Sequence, residues 1–205
     1  MAPDFLLDGP AKGKIVALAH GAGAPMDSPF MGAFAQGLAA EGWRVARFEF
    51  PYMAARRAGK KPGPDRPDVL VATWNAALAA LGGGPKVAIG GKSMGGRIAS
   101  MVADSAGARG LVCLGYPFHA PGRSAAARIA HLEGLKTRAL IVQGTRDTMG
   151  TRDEVATYPL SSAIALHWIE DGDHSLVPRK SSGRTEAEAW AEAIAAVARF
   201  LAALR

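Results

Sequence analysis

A serine between glycines is the strongest chemical signal in this chain. Residues 91–95 read Gly-Lys-Ser-Met-Gly and directly follow the apolar run 87–89, and a helical pattern over 97–104 comes next. Small residues beside Ser93 allow a sharp turn between a strand and a helix, which exposes the serine hydroxyl above a sheet. The backbone N–H of Met94 would then lie at a helix N-terminus, where it could stabilise an oxyanion. The pattern therefore predicts a nucleophilic serine.

Two residues that could activate this serine follow later apolar runs. Asp147 comes just after the run 138–142, and His174 lies in the loop after the run 163–169. A histidine can accept the serine proton, and a carboxylate can fix the imidazole tautomer and stabilise the imidazolium. The order serine, aspartate, histidine is the one expected for doubly wound hydrolases. We therefore predict Ser93, Asp147 and His174 as the catalytic residues.

Three other aspartates remain alternatives for the acid. Asp171 and Asp173 are so close to His174 in the sequence that contact with its far ring nitrogen is disfavoured, and Asp153 falls in a short predicted helix. Taken singly, a serine after a strand is usually a turn residue or helix cap, and a histidine in such a loop is often merely exposed. The prediction depends on the joint order of the three residues at successive strand ends.

The glycine-rich loop 19–28 could supply a second oxyanion donor. Its glycines would let the backbone approach a bound carbonyl group, and we predict the N–H of Ala22 as the partner of the N–H of Met94. The same loop is also an ordinary connection from a strand to a helix, with Asp27 or Ser28 as the N-cap. We expect His20 to be a structural residue that bonds within this loop.

A nucleotide-binding interpretation of the same serine is disfavoured. Gly91, Lys92 and Ser93 match the end of the phosphate-binding loop G-x-x-x-x-G-K-[ST], but Lys86 occupies the position of its first glycine. The residues between them read as a strand, so no loop remains to surround a phosphate group.

The apolar runs alternate with helical patterns. Runs of strand length occur at 14–19, 44–50, 86–89, 110–114, 138–142 and 163–169, and helical patterns occur at 30–39, 68–81, 93–105, 151–157 and 185–204. This alternation predicts an α/β fold with a mostly parallel sheet of six or seven strands and helices on both faces. At 205 residues we expect a single domain over 1–205. Ligands bind such folds at the carboxyl ends of the strands.

Arg47 and Glu49 fall on one face of a predicted strand, which favours a mutual ion pair.

Composition limits the possible partners. Hydrophobic residues make up 49% and charged residues 20% of the chain, as in ordinary globular proteins, and no apolar stretch reaches membrane-spanning length. The first residues lack the pattern of a secretory signal and Cys113 is the single cysteine, so we expect a cytoplasmic protein without disulfides. Much of the net charge of +6 lies in the Gly/Pro-rich run 56–66, which reads as a solvated loop or as a basic rim that favours anionic substrates. No aromatic residues alternate with these charges, so we expect no nucleic-acid partner.

The charges around Ser93 indicate a substrate class. Lys92 precedes the serine, Arg97 follows it, and we predict both as substrate-binding residues. Phe118, in the segment after the run 110–114, is predicted either to line the pocket or to belong to the core. This basic setting favours small or anionic esters or lactones. The five histidines are scattered and form no ligand motif, so we expect neither a metal nor an organic cofactor.

Four motifs together resemble the α/β-hydrolases. They are His-Gly-Ala-Gly at 20–23, Gly-Lys-Ser-Met-Gly-Gly at 91–96, Gly-Thr-Arg-Asp at 144–147 and Gly-Asp-His-Ser at 172–175. The longer stretches 91–97 and 25–30 are similar to the small dienelactone-hydrolase-like branch that includes the KANL/Tex30-type hydrolase-like proteins. The resemblance implies a serine-hydrolase fold from about Lys14 to Leu204, with the triad on Ser93, Asp147 and His174. Dienelactone hydrolases proper usually carry a cysteine where this chain has Ser93.

Two function classes fit the resemblance. The first is a serine hydrolase that cleaves a small-molecule ester or lactone through an acyl-serine intermediate. The second is a catalytically silent, hydrolase-like binding or interaction module. Acyl transfer to an acceptor other than water would use the same residues and stays open. Only residues 115–137 separate two predicted strands where many relatives insert a lid, so we expect an open site.

Overall fold

One mixed sheet organises this computed structural model, which describes residues 2–120 and 124–204. Its strands are β1 (Phe5–Asp8), β2 (Ile15–Ala19), β3 (Arg44–Phe48), β4 (Val87–Lys92), β5 (Gly110–Leu114), β6 (Ala139–Gly144) and β7 (Ile164–Ile169). They lie in the order β1-β3-β2-β4-β5-β6-β7, with β1 antiparallel to β3 and the other pairs parallel. The predicted α/β-hydrolase fold with a mostly parallel sheet is confirmed.

Helices cover both faces of the sheet. They are α1 (Pro29–Ala40), α2 (Pro51–Arg57), α3 (Pro67–Ala80), α4 (Met94–Val102), α5 (Ala126–Glu133), α6 (Arg152–Val155) and α7 (Glu186–Ala202). Apolar side chains of α3, α4 and α5 pack on one face, and those of α1 and α7 pack on the other. Along β2, Ala17 and Ala19 face the first core, whereas Val16 and Leu18 face the second. The continuous apolar runs follow from this arrangement because parallel strands are buried on both faces.

Local sequence signals explain where several helices begin. Pro29 and Pro67 occupy the first positions of α1 and α3, where the missing N–H of proline has no intrahelical partner to lose. Helix α7 begins with a capping box, in which the Thr185 side chain accepts from the N–H of Glu188 and the Glu188 side chain accepts from the N–H of Thr185.

Three elements of the structure were not predicted from the sequence. Strand β1 has only four residues, and it lies at the sheet edge with Leu6 and Leu7 exposed. Helix α2 lies mostly before the predicted basic loop 56–66 and includes only the first two residues of that segment. Helix α5 lies in the connection between β5 and β6. Each is short, and short segments carry too little periodicity for a prediction.

The predicted ion pair between Arg47 and Glu49 is wrong. Strand β3 ends at Phe48, so Glu49 lies beyond the last residue of the strand. Arg47 instead bonds Asp8 of the neighbouring strand β1, with 2.8 Å between Nη2 and Oδ2. Glu49 pairs with Arg57 of α2, with 2.7 Å between Oε1 and Nη2. Both partners come from elements that the sequence did not reveal.

The connection between β5 and β6, near the carboxyl ends of the strands, is where a lid would lie. Within residues 115–120 and 124–138, between β5 and β6, α5 is the only helix, so this described connection holds no large lid, as predicted. Residues 121–123 of that connection lie outside the described residues. No helix in the described part of the chain combines the length and the apolar composition of a bilayer-spanning segment.

Candidate active site

Ser93 occupies a strained turn between β4 and α4. Its backbone has φ of 50° and ψ of −115°, a conformation that residues other than glycine rarely adopt. The N–H of Ser93 donates to the carbonyl oxygen of Leu114 at 2.9 Å, which ties the turn to β5. The turn follows the last residue of β4 and precedes the first residue of α4, as predicted from the sequence.

The glycines of the pentapeptide are required by close packing against β2. A Cβ atom at Gly91 would collide with the carbonyl oxygen of Ala19, and Gly91 has a φ of 154°. A Cβ atom at Gly95 would collide with the same oxygen and would lie 2.6 Å from the carbonyl oxygen of His20. Glycine at both positions therefore lets the turn approach the end of β2.

A continuous chain of hydrogen bonds joins the three predicted catalytic residues. The Oγ atom of Ser93 lies 2.8 Å from Nε2 of His174, and Nδ1 of His174 lies 2.7 Å from Oδ2 of Asp147. Asp147 follows β6 and is fully buried, whereas His174 lies in the loop after β7 and is partly exposed. The structure thus brings together residues that are 81 and 27 positions apart in the chain.

Hydrogen bonds from its surroundings orient the buried carboxylate. The side-chain amide of Gln143 donates to Oδ2 of Asp147 at 2.8 Å, and the N–H of Met149 donates to Oδ1 at 2.8 Å. The side-chain oxygen of Gln143 in turn accepts from the N–H of Tyr116 at 2.7 Å. The sequence analysis missed Gln143. The available signal was a polar residue directly after the apolar run 138–142 and four positions before Asp147.

Side chains hold the backbone of the loop that carries His174. The Oδ1 atom of Asp173 accepts from the N–H groups of Ser175 and Val177 at 2.7 and 3.0 Å. The indole N–H of Trp190 in α7 donates to the carbonyl oxygen of Ser175 at 3.0 Å. These contacts fix the imidazole in place before a substrate binds.

The alternative aspartates are occupied elsewhere. Asp171 bonds the guanidinium of Arg179, with 2.5 Å between Oδ1 and Nη2. Asp173 accepts the backbone N–H groups of its own loop, and Asp153 is exposed in α6. Asp147 is the carboxylate that bonds His174.

The two predicted oxyanion donors lie beside Ser93. Met94 is the first residue of α4, where a backbone N–H has no intrahelical acceptor. Ala22 lines the same cleft as Ser93, and its carbonyl oxygen accepts from the Tyr52 hydroxyl at 3.0 Å, which fixes the peptide that follows.

His20 has the structural role predicted for it. Its Nδ1 atom lies 2.6 Å from the carbonyl oxygen of Gly21, and its Nε2 atom accepts from the N–H of Phe50 at 3.1 Å. Nε2 acts as an acceptor, so the ring is neutral with its proton on Nδ1. Burial lowers the pKa of His20 and favours this neutral form.

Lys92 contacts the histidine loop directly. Its ammonium donates to the carbonyl oxygen of His174 at 2.6 Å and lies 5.6 Å from the centre of the Phe30 ring. Burial lowers the pKa of Lys92 to about 8, although the charges of Asp147 and Asp173 act in the opposite direction. The residue predicted to bind substrate therefore also anchors His174.

An apolar cleft opens on the His174 side of Ser93. It has a volume of about 380 Å³ and is lined by Gly21, Ala22, Gly23, Ala24, Ser28, Pro29, Phe30, Met31, Lys92, Ser93, Met149, His174 and Ser175. The Phe30 ring stacks on Phe34 and contacts the edge of Trp190, so this wall is fixed by the core beneath it. We call it the apolar cleft.

The other two predicted substrate-binding residues differ in position. Arg97 lines a second, smaller cleft next to Ser93. Phe118 is fully buried and packs against Tyr116 and Tyr158, in the core and outside both clefts. Of the two alternatives predicted for Phe118, the structure therefore favours the core over the lining of the pocket.

A second serine–histidine contact joins helices α4 and α5. The Oγ atom of Ser100 lies 2.8 Å from Nε2 of His131, and Ser100 also donates to the carbonyl oxygen of Arg97 at 2.7 Å. Ser100 is 3% exposed and lines neither cleft. No carboxylate bonds His131 in the described part of the chain, so this pair lacks an orienting acid.

The described residues were also compared with the donor sets of metal sites. Within residues 2–120 and 124–204, no three His, Cys, Asp or Glu side chains come together in a group that could hold a metal ion. The expectation that the protein uses no cofactor stays a prediction.

Comparisons with known proteins agree with the fold of this chain. Residues 12–202 match the family described as an alpha/beta hydrolase domain. A dienelactone hydrolase from Anabaena variabilis is 19% identical, with a TM-score of 0.72 and 100% of both chains covered. Est1E from Butyrivibrio proteoclasticus, with ferulic acid bound, is 15% identical, with a TM-score of 0.71 and 98% of this chain and 94% of that chain covered. A serine hydrolase without a lid from Xanthomonas campestris is 17% identical, with a TM-score of 0.63 and coverage of 85% and 86%. At such identities the likeness is one of fold.

Proposed function

Because the chain belongs to the α/β-hydrolase family, we propose that it is a serine hydrolase that cleaves an ester-like bond, as a carboxylesterase or lactonase. The observation that carries the proposal is the unbroken hydrogen-bonded path from Ser93 through His174 to Asp147. A hydroxyl, an imidazole and a buried carboxylate in this order are the groups that acyl transfer to serine requires.

The proposed reaction begins with attack of Ser93 Oγ on the ester carbonyl carbon. His174 Nε2 accepts the serine proton and then gives it to the alcohol oxygen as the carbon–oxygen bond breaks. Asp147 holds the proton on Nδ1 and stabilises the imidazolium. Water attacks the acyl-Ser93 ester in the second half of the reaction, with His174 again as the base, and releases the acid.

Backbone N–H groups supply the stabilisation of the oxyanion in this proposal. Those of Met94 and Ala22 are the proposed donors, since both residues flank Ser93 and Met94 begins α4. Loss of one such donor costs a factor of about 10²–10³ in kcat in related chemistry. The reaction uses groups of the chain itself, and we propose no metal or organic cofactor for it.

A fluorophosphonate probe tests the proposal directly, because it reacts with activated serines. We expect one adduct per molecule, located at Ser93 by peptide mass spectrometry. Ser93→Ala should not be labelled, and its ester hydrolysis should fall by at least about 10³-fold. Ser100→Ala is the matched control, because it removes the other serine that contacts a histidine, and it should be labelled like the wild type.

Two outcomes would contradict the proposal. Labelling of Ser93→Ala, or its loss in Ser100→Ala, would assign the nucleophile to another serine. A folded wild-type protein that is not labelled at all would favour the catalytically silent binding module. Circular dichroism of each variant shows whether the fold is retained.

A further inference from the structure

A second cleft begins at Ser93 and lies apart from the His174 loop. It has a volume of about 260 Å³ and is lined by Ala22, Pro64, Ser93, Met94, Arg97, Pro117, Arg128 and Met149. Ala22, Ser93 and Met149 also line the apolar cleft, so the two spaces meet at the serine hydroxyl. We call this second space the arginine cleft.

Two guanidinium groups without carboxylate partners line this cleft. Among the described residues, neither Arg97 nor Arg128 takes part in an ion pair, whereas Arg57, Arg146 and Arg179 each pair with a carboxylate. The cleft lining contains no acid, and nearby Asp65 is engaged by the N–H of Tyr52 at 2.9 Å. The two cations are close enough that the charge of Arg128 adds to burial in lowering the pKa of Arg97. An anion between them would relieve this repulsion.

The protein holds Arg128 in place from two directions. Its Nη1 group donates to the carbonyl oxygen of Pro117 at 3.3 Å, and its own carbonyl oxygen accepts from the Tyr116 hydroxyl at 2.8 Å. Tyr116 is itself buried and bonded to Gln143, which bonds Asp147. The arginine cleft is therefore attached to the same framework as the proposed catalytic residues, which favours a fixed site over a mobile surface charge.

The position of His174 decides which part of an ester enters which cleft. A histidine that protonates the leaving alcohol must lie next to the alcohol oxygen. His174 lines the apolar cleft and is absent from the lining of the arginine cleft. The alcohol part of the ester therefore belongs in the apolar cleft, beside Phe30. The acyl part extends from the carbonyl carbon in the other direction, past Met94 towards Arg97 and Arg128.

We propose that the arginine cleft binds a carboxylate on the acyl part of the substrate, so that the preferred substrates are monoesters of short dicarboxylic acids with apolar alcohols. This inference rests on the proposed function and specifies its substrate. Acylation joins one carboxyl carbon of the diacid to Ser93 Oγ and releases the alcohol with the proton from His174. Water then releases the free dicarboxylic acid. The small cleft favours a short chain between the two carboxyl groups.

Three esters of one length test this proposal through kcat/KM. Monobenzyl glutarate carries the carboxylate on the acyl part, benzyl 4-carbamoylbutanoate replaces that carboxylate by a neutral amide, and 3-carboxypropyl phenylacetate carries the carboxylate on the alcohol part. We expect the wild type to prefer the first ester to each of the others by about tenfold or more, as one charge-assisted contact provides.

Arginine variants locate the source of the preference. Arg97→Gln and Arg128→Gln should each reduce the preference for monobenzyl glutarate over its amide about tenfold, mainly through a higher KM for the glutarate ester. Arg199→Gln is the matched control, because it removes an equal charge from an exposed position on α7. It should keep the preference of the wild type.

The results separate failure of the cleft from failure of the proposed function. Equal rates for the glutarate ester and its amide, or a preference unchanged in both cleft variants, would overturn the cleft assignment while leaving ester hydrolysis intact. Faster turnover of 3-carboxypropyl phenylacetate would reverse the assignment of the two clefts. Hydrolysis of none of the three esters by protein that labels at Ser93 would also reject this substrate class. Absence of both hydrolysis and labelling would instead contradict the proposed function.

Discussion

The positive charge of Lys92 bonds a group of the protein, the backbone of the His174 loop. The ammonium is buried between the carbonyl oxygen of His174 and the ring of Phe30, and no carboxylate forms an ion pair with it within the described residues. A cation that bonds the histidine loop fixes the imidazole relative to Ser93. We therefore propose that Lys92 positions His174, while the proposed binding of a substrate anion depends on Arg97 and Arg128.

The buried ammonium should make stability depend on pH. Its pKa is about 8 in the folded protein and 10.5 ordinarily, so between these values the unfolded chain holds a proton that the folded protein has released. The free energy of unfolding then rises with pH across this window. We expect the wild-type value minus that of Lys92→Met to increase from about pH 8 to about pH 10 in urea titrations at constant ionic strength. A difference that stays flat or falls would contradict burial of the charge.

At the scale of elements, the turn between β4 and α4 depends on its contact with the end of β2. The strained backbone of Ser93 persists because strands on both sides hold the turn. Gly95 approaches the carbonyl oxygens of Ala19 and His20 too closely for any side chain. The nucleophile turn and the loop that carries Ala22 are therefore packed as one unit.

Gly95→Ala tests this packing. The added methyl group meets backbone atoms that cannot rotate away, so we expect a loss of about 3 kcal/mol in the free energy of unfolding, together with slower fluorophosphonate labelling. Gly32→Ala is the matched control: Gly32 lies within α1 and has no neighbour within 4 Å of a built Cβ, so this change should stabilise by about 0.5–1 kcal/mol. Equal stability of the two variants in urea denaturation would show that the turn has room to relax.

The arginines of the basic segment 56–66 are paired with groups of neighbouring elements. Arg57 bonds Glu49 and Asp27, Arg66 bonds Asp68, and the guanidinium of Arg56 donates to the carbonyl oxygen of Pro62. These arginines are satisfied locally, so they add little to a rim that attracts anions. Arg97 and Arg128 differ from them, because both line the arginine cleft and neither forms an ion pair with a described residue.

At the scale of the whole molecule, the two cores share one sheet. Each buried strand contributes alternate side chains to both cores, so neither core can form without the strands of the other. This supports the proposal that the chain folds as a single domain over residues 1–205. Domains of this kind usually unfold cooperatively.

Unfolding measured on both sides of the sheet tests this cooperativity. Trp74 lies in the core under α3 and Trp43 lies in the core under α1 and α7. Trp168 packs against the core of Trp74 and Trp190 against the core of Trp43, so a variant that reports on one core must lose both tryptophans of the other. We expect the fluorescence transitions of Trp43→Phe/Trp190→Phe and Trp74→Phe/Trp168→Phe to coincide with the far-UV circular dichroism transition of the same variant in urea. Separate fluorescence and circular dichroism midpoints within either variant would indicate that the two cores unfold independently.

Much of the architecture could be predicted because buried parallel strands and amphipathic helices leave strong periodic patterns. Strand β4 and helix α3 were placed within a few residues, since an apolar run and a proline start with a glycine stop are local signals. Strand β1 and helix α5 were missed, since their form depends on partners distant in the chain. Gln143 was missed for a related reason, because the role of a buried amide depends on what it bonds.

The sequence by itself determined the family, most of the order of strands and helices, and the identity of Ser93, Asp147 and His174 as candidates, because each of these depends on residue types and their spacing. Tertiary structure alone decided which charges remain unpaired. Lys92, Arg57 and Arg97 are equivalent cations in the sequence. In the folded protein, however, Lys92 bonds the histidine loop, Arg57 pairs with Glu49, and Arg97 lines a cleft beside Ser93. The physical reason is that electrostatic and hydrogen-bond energies depend on distances between atoms, and folding sets the distances between residues far apart in the chain.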